Sequence, residues 1–425
     1  MSPPTPAVVP PRESEPVSSP PLRVLRPRRA APDTAVRPTR AEVDLSALRH
    51  NLRVVRKAAG SARVWAVLKA DGYGHGAPAV ARTLERAGVD GLAVALLEEA
   101  IELRTAGIRA PILVMGGYYG AAYDELLTHD LVPVVYDASH FEGLARAMRE
   151  RGIEGRAKVH LKIDTGMARL GVSLDGLDAV LAAAARFPQV ELDGVMTHVA
   201  CADVAGDDAA ASVAGQLALF RDGLARVRAA GHRPRFVHAA NSAATLRSSD
   251  GAGVAAFDAR FDAVRPGIAL FGLDPLHPDA RALKPTLRIR SEIVALRTLP
   301  IGAPVGYGSL WRAARPSTIA TVPIGYADGL SRTLSGPTGG PAGTMLVRGR
   351  RVPIVGALSM DLATIDVTDV PGAALRDEAV VLGEQKGALG VETISLDEVA
   401  RASGLIPWDV LTSISRRVPR FYRDP

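Results

Sequence analysis

Five residues of this 425-residue chain combine reactive side chains with the ends of apolar, strand-like runs: Lys69, Lys162, His198, His238 and Arg265. Lys69 closes "VWAVLK" and is followed by Gly72, Gly74 and Gly76. A charged amine beside a buried strand needs water or a partner. Either Lys69 reaches solvent, or the strand exists to hold that amine in place. An amine held against an apolar wall has a lowered pKa and forms a Schiff base with a carbonyl. In "KVHLKIDTGMARLG", Val159, Leu161 and Ile163 share one face while His160, Lys162 and Asp164 share the other. Ser242 follows His238 in "HAANSAA", and Arg265 opens "RPGI". Glycines and a hydroxyl near helix N-termini can cradle a phosphate. An aldehyde-binding amine beside a phosphate cradle points to pyridoxal phosphate. No HExxH, CxxC or clustered acid triad occurs, so no metal site is expected. Singly, each residue has a plainer reading: a solvated lysine, a hydrogen-bonded core histidine, a turn. Their convergence on one rim carries the functional reading.

Such convergence needs a scaffold that brings many strand ends together. Eight β-rich runs occur, at 64–69, 91–96, 111–116, 131–136, 158–163, 192–198, 235–240 and 263–267, mostly separated by segments of helical period. The clearest of these is 212–228, where Val213, Leu217, Phe220, Leu224 and Val227 repeat at spacings of four and three. Ahead of the first run, Leu48, Leu52 and Val55 mark a helix that Ser46 can cap. This alternation predicts an α/β protein with an N-terminal (β/α)8 barrel over residues 41–271, whose site lies at the C-terminal strand ends. A doubly wound open sheet is the alternative, but its usual strand count is lower. Residues 272–425 change texture, with β-branched runs broken by Gly and Pro, and predict a mainly antiparallel β domain.

The first 40 residues stand apart. They hold 11 of the 31 prolines and seven arginines against three acids, which predicts a disordered, solvated leader without the apolar core of a secretion signal. The leader supplies +4 of the formal +6 charge, so the body is nearly neutral and has no basic stripe with interleaved aromatics. No nucleic-acid partner is expected. No run approaches the roughly 18 apolar residues of a membrane span, so no membrane partner is expected either. Cys201 is the one cysteine, which excludes an internal disulfide framework and fits a reducing, cytoplasmic compartment.

"LKADGYGHGA", "LKIDTGMARLG", "MTHVA", "HAANSAA", "RPGIALFG", "VGYGSLW", "PIGYADG", "VGALSMD" and "SISRRVPR" follow in order over residues 40–425. Together they resemble the alanine racemase family of pyridoxal-phosphate enzymes. The resemblance implies a barrel and a β domain in a homodimer with shared sites, interconverting L-alanine and D-alanine for peptidoglycan. It implies Lys69 as the cofactor-bearing lysine and one catalytic base, with Tyr307 as the second base, reaching the opposite substrate face from the partner subunit. Tyr73, Ser242, Gly267 and Ile268 match phosphate ligands, and His198 a residue against the cofactor ring. Arg265 matches the residue facing the pyridine nitrogen, where a guanidinium that keeps its proton weakens the electron sink. Arg169 matches a substrate-carboxylate ligand, and Lys162 a position that the family often carbamylates; an ordinary lysine beside Asp164 is the other reading. Met360 and Tyr326 match partner-subunit residues at the mouth of the site, with Asp361 supporting its geometry. One departure stands out: Arg416 occupies the place of a phosphate-binding tyrosine, and arginine can bind phosphate as well. A racemase of broader substrate range is the alternative. A cofactor-binding relative without a second domain is opposed by residues 272–425, and a decarboxylase of this fold by Tyr307 in "GYG".

Overall fold

The computed structural model of the chain describes residues 36–116, 122–247, 259–276, 283–335 and 343–424. Eight parallel strands close into a barrel: β2 (Arg63–Val67), β3 (Gly91–Val94), β4 (Ile112–Val114), β5 (Val132–Val135), β6 (Ala157–Lys162), β7 (Val190–Met196), β8 (Phe236–His238) and β9 (Ala263–Val264). Each falls within or beside a run read from the sequence. A parallel barrel is covered on its outer face by helices and filled within by side chains, so its strands read as continuous apolar runs. The helix at Asp207–Ala229 buries Val213, Leu217, Phe220, Leu224 and Val227 along one face, as their spacing requires.

Two local expectations change. The helix Leu45–Ala59 is capped by Asp44, not Ser46. The Asp44 carboxylate accepts from the Ala47 N–H at 2.8 Å, and the Ser46 hydroxyl donates to the same oxygen. A carboxylate two residues earlier reaches the orphan amide of the first turn. Lys69 likewise is not the last strand residue: β2 ends at Val67, and Lys69 opens the short helical turn Lys69–Tyr73.

The C-terminal region is mainly antiparallel. A seven-stranded sheet runs in the order Arg350–Pro353, Thr344–Val347, Glu378–Gly387, Leu287–Glu292, β1 (Arg40–Asp44), Arg420–Arg423, with Gly390–Ile394 paired to Glu378–Gly387. A three-stranded sheet joins Ala295–Leu299, Ser317–Val322 and Ala363–Asp366. β1 precedes the barrel in the chain yet lies in this second sheet, antiparallel to Leu287–Glu292 and parallel to Arg420–Arg423. Ala41 and Val43 are buried, while Glu42 accepts ion pairs from Arg288, Arg290 and Arg423 at 3.2, 2.5 and 2.5 Å. Glu42 is itself buried, so these guanidinium partners compensate its charge within the sheet.

Residues 1–35 of the expected disordered leader lie outside the described residues. Its last residues make defined contacts with the C-terminal half. Arg37 pairs with Asp328, and fully buried Thr39 bonds Ser291 Oγ at 2.8 Å and the Pro323 carbonyl at 2.5 Å. All three partners lie more than 250 residues away, so composition carries no trace of them. No described helix is long and apolar enough to cross a membrane, and no described cluster of His, Cys, Asp or Glu could hold a metal ion.

Candidate active site

The turn after β2 is left-handed. Ala70, Asp71, Gly72 and Tyr73 have φ between 52° and 63°, a conformation that costs L-residues roughly 1–2 kcal/mol each. Neighbours hold it. Glu99 Oε1 accepts from the Ala70 N–H at 2.6 Å, and Asp71 Oδ1 accepts from the Ala77 N–H at 2.8 Å. The C-terminal strand holds it too: Arg420 Nε donates to the Gly74 carbonyl at 2.9 Å. A β-carbon at Gly74 would collide with the Leu411 carbonyl, so this approach requires glycine. Strain kept in place by contacts from both halves of the molecule marks a position whose geometry matters.

What the turn presents is the Lys69 amine, facing a cavity of about 590 Å³ at the C-terminal end of the barrel. That volume suits a small cofactor with a small substrate. Tyr73, Lys162, Arg169, His198, Ser242, Arg265, Gly267 and Ile268 line the same cavity, so nine of the thirteen candidate residues converge. At one end Ser242 Oγ accepts from the Gly267 N–H at 2.8 Å and the Ala269 N–H at 3.3 Å. The Tyr73 ring lies so close to the Gly267 α-carbon that any β-carbon there would strike its hydroxyl. Two hydroxyls and a run of backbone N–H groups form the cradle that a phosphate needs.

Arg265, which is buried, lines the same cavity. Its NH2 donates to the carbonyls of Thr197 and Ala239 at 2.7 and 3.2 Å, and its NH1 to His238 Nδ1 at 2.6 Å. Since a guanidinium only donates, His238 Nδ1 accepts. His238 therefore carries its proton on Nε2 and donates to His160 Nδ1 at 2.8 Å. Trp65 closes over both imidazoles, with ring centroids 5.4 Å from His160 and 6.5 Å from His238. Burial lowers the Arg265 pKa to about 9, which still leaves it cationic at neutral pH.

The cavity is rich in positive charge. Lys69, Lys162, Arg169 and Arg265 line it against one carboxylate among the described residues, Asp203. Burial first, then Arg169, lowers the Lys69 pKa, with Glu99 opposing. Burial, Arg169 and Arg265 bring Lys162 down to about 8. Asp164 accepts from the N–H groups of Gly166, Met167 and Ala168 at 2.9–3.2 Å, so its carboxylate caps a loop. Burial and the surrounding cations hold His198 down to about 3, which keeps it neutral. Such a site calls for anions. A phosphate at the cradle and a carboxylate at Arg169 would supply them, and a Lys69 amine whose pKa is lowered from its ordinary value suits an aldehyde. The residues present therefore fit pyridoxal phosphate.

Four candidates lie elsewhere. Tyr307, Tyr326 and Met360 are 73%, 42% and 52% exposed on the C-terminal half and do not line this cavity. Arg416 is exposed and does not line it either, so its side chain stands away from the cradle in this chain. Sequence reasoning missed Glu99, whose Oε2 also accepts from Ala95 and Leu96 at 2.9 and 3.1 Å. Only an acid three residues into a helix hints at that role. It also missed Trp408, which reaches the cavity from the C-terminal half.

Buried histidines give the molecule a predictable acid response. His75 is held down to about 4, His160 and His198 to about 3, and His238 well below 6.5, in each case chiefly by burial. Between pH 6.5 and those values the unfolded chain binds more protons than the folded one, so stability is full above pH 6.5 and falls with acidification. Four such groups give a limiting slope of about 5 kcal/mol per pH unit. Urea midpoints measured from pH 7.5 to 4.5 are expected to drop steeply below pH 6.5; a flat profile would show these imidazoles to be protonated in the folded state.

A family model described as "Alanine racemase, N-terminal domain" matches residues 43–275, and "Alanine racemase, C-terminal domain" matches residues 286–422. An alanine racemase of Sorangium cellulosum (strain So ce56) is 58% identical over 396 residues, covering 92% of this chain and all of the relative. Among solved structures, alanine racemase from Streptomyces coelicolor A3(2) is 34% identical with a TM-score of 0.82, covering 92% of this chain and 100% of that one. Alanine racemase from Bartonella henselae with covalently bound pyridoxal phosphate is 30% identical with a TM-score of 0.77, covering 91% and 99%.

Proposed function

This chain belongs to the alanine racemase family, and on that premise we propose that it interconverts L- and D-alanine with pyridoxal phosphate, using Lys69 and Tyr307 as opposed bases in a homodimer. The observation that carries this reading is the Lys69 amine, its pKa lowered, opening into one cavity with a phosphate cradle and a buried guanidinium. When bound, the cofactor supplies a ring that delocalises the electron pair left at the substrate α-carbon.

The protein's residues supply the rest. Tyr73, Ser242 and the backbone of Gly267 and Ile268 hold the phosphate. Arg265, fixed by two carbonyls and His238, would face the ring nitrogen as a donor and give it no proton. His198, neutral, would lie against the ring. Arg169 binds the substrate carboxylate. Lys162, with a pKa near 8, has enough free amine to add carbon dioxide, losing a proton and becoming a carbamate. That anion would sit among cations and fix Arg169. Lys69 moves a proton on one face of the α-carbon.

Inversion needs a second group on the other face. Tyr307 is the candidate, and its exposure away from its own cavity supports a role in the partner's site. Tyr326 and Met360 share that exposure and serve the mouth of the partner's site. The D-alanine formed supplies the cell wall.

The reading is tested by incubating the full chain and pyridoxal phosphate with L-alanine in D2O, following the α-proton and chirality together. Loss of the α-proton with appearance of D-alanine is expected. Exchange without inversion would remove Tyr307 from the scheme. No exchange would move the activity to another amino acid.

A further inference from the structure

Outside the cavity, one buried polar cluster touches three of the segments that carry expected site residues. Asp328 lies on the short turn Tyr326–Asp328 with its side chain fully buried. Its Oδ2 accepts from the Gly325 N–H at 3.0 Å and from Arg37 NH1 at 2.9 Å, and its Oδ1 accepts from Arg37 NH2 at 2.8 Å. Arg37 NH2 also donates to the Arg417 carbonyl at 3.1 Å. Arg417 Nε stands 3.6 Å from Asp328 Oδ1, while its NH2 donates to Asp361 Oδ1 at 2.5 Å. Backbone bonds follow the same route. The Tyr326 N–H donates to the Ser359 carbonyl at 3.1 Å, Ala327 to Met360 at 3.0 Å, and Ser415 to Asp328 at 3.0 Å. One connected network thus runs through the segments bearing Tyr326, Met360 and Arg416.

We propose that Arg37 is a positioning residue for substrate binding: through Asp328 it fixes the turn bearing Tyr326 against the segment bearing Met360. It thereby sets how narrowly the mouth of the partner's site accepts a substrate side chain. This rests on the reading of Tyr326 and Met360 as mouth residues. The physical basis is that Asp328 is a buried carboxylate, which requires full compensation. Without Arg37 it keeps one amide and a half-exposed Arg417 at ion-pair distance. Arg417 already holds Asp361, the residue next to Met360, so drawing it closer to Asp328 would load both carboxylates onto one guanidinium. β1 does not depend on Arg37, because Thr39 anchors that strand separately to Ser291 and Pro323.

The test uses the full chain with Arg37→Gln, Arg37→Lys, Asp328→Asn and the Arg37→Gln/Asp328→Asn pair. Steady-state kinetics on alanine and serine are read together with amide exchange at Tyr326 and Ala327. Arg37→Gln is expected to raise KM for alanine about tenfold, with kcat within about twofold. It should also narrow the preference for alanine over serine and speed exchange at both amides. Arg37→Lys keeps the charge but not the fork, so it recovers part of each effect. Adding Arg37→Gln to Asp328→Asn should cost less than Arg37→Gln alone, since one pathway is already broken. Unchanged exchange in Arg37→Gln, a lower melting temperature with KM unaltered, or additive effects in the pair would each overturn the proposal. If the unaltered chain failed to act on alanine, the functional reading would fall; amide exchange would still decide the coupling by itself.

Discussion

Lys69→Ala is expected to abolish both covalent attachment of pyridoxal phosphate and racemisation, leaving the fold intact. The amine faces the cavity and not the core, and no hydrophobic cluster includes it. The left-handed turn beneath it is held by Glu99, Asp71 and Arg420 through backbone groups that the substitution leaves in place. Stability should therefore change by less than about 1 kcal/mol, as for substitutions away from cores and networks. Activity should fall by at least a thousandfold, because one change removes a proton-transfer group worth about 10²–10⁴ and also the anchoring amine. Two measurements separate the losses. The visible absorbance of the lysine-bound cofactor should vanish, while non-covalent cofactor binding persists through the Tyr73, Ser242 and Gly267 cradle. Small primary amines added in solution should restore part of the α-proton exchange. A Lys69→Ala protein that racemises alanine at the unaltered rate would refute the assignment.

Why this lysine was visible in the sequence, and its supports were not, follows from how each is encoded. Barrel strands are short, apolar and β-branched, and each reads as a local run. The charged residue that ends such a run is conspicuous because burial would penalise it. Lys69, Lys162, His198, His238 and Arg265 were found in this way, and all but His238 line the cavity. His238 stands one bond behind, locking Arg265. The supports are long-range pairs. Arg37 meets Asp328 across 291 residues, and Arg420 meets Gly74 across 346. No local pattern announces such a pairing, so Arg37 was read with the Pro-rich leader. Residues 40–44 show the same limit: "RAEVD" adjoins the first barrel helix in sequence, whereas its hydrogen bonds run to Leu287–Glu292 and Arg420–Arg423. The left-handed turn was half legible. Gly72, Gly74 and Gly76 signalled a tight path, but Ala70, Asp71 and Tyr73 share the positive φ and have no compositional signature.

Tyr307→Phe is expected to lower racemisation by about 10²–10⁴, the range of a single proton-transfer group, with cofactor attachment unaltered. The fall applies in both directions, since every inversion uses both faces of the α-carbon. Exchange should not vanish with it. In D2O one enantiomer should still lose its α-proton through Lys69 and regain deuterium on the same side, giving exchange with retention. A structural defect would slow the two enantiomers alike and would leave no such asymmetry. The exposure of Tyr307 permits a stricter form of the test. If each site takes Lys69 from one subunit and Tyr307 from the other, mixing Lys69→Ala with Tyr307→Phe protein produces hybrid dimers. Each hybrid has one site lacking both groups and one site lacking neither. Random exchange of subunits in equal amounts should then restore about a quarter of the unaltered activity from two nearly inactive proteins. No restoration, with subunit exchange verified by differently tagged chains, would mean that both groups serve one site within a subunit. The distance between the Lys69 cavity and the exposed Tyr307 would then have to close by movement of the C-terminal half, and the two-subunit site would be lost.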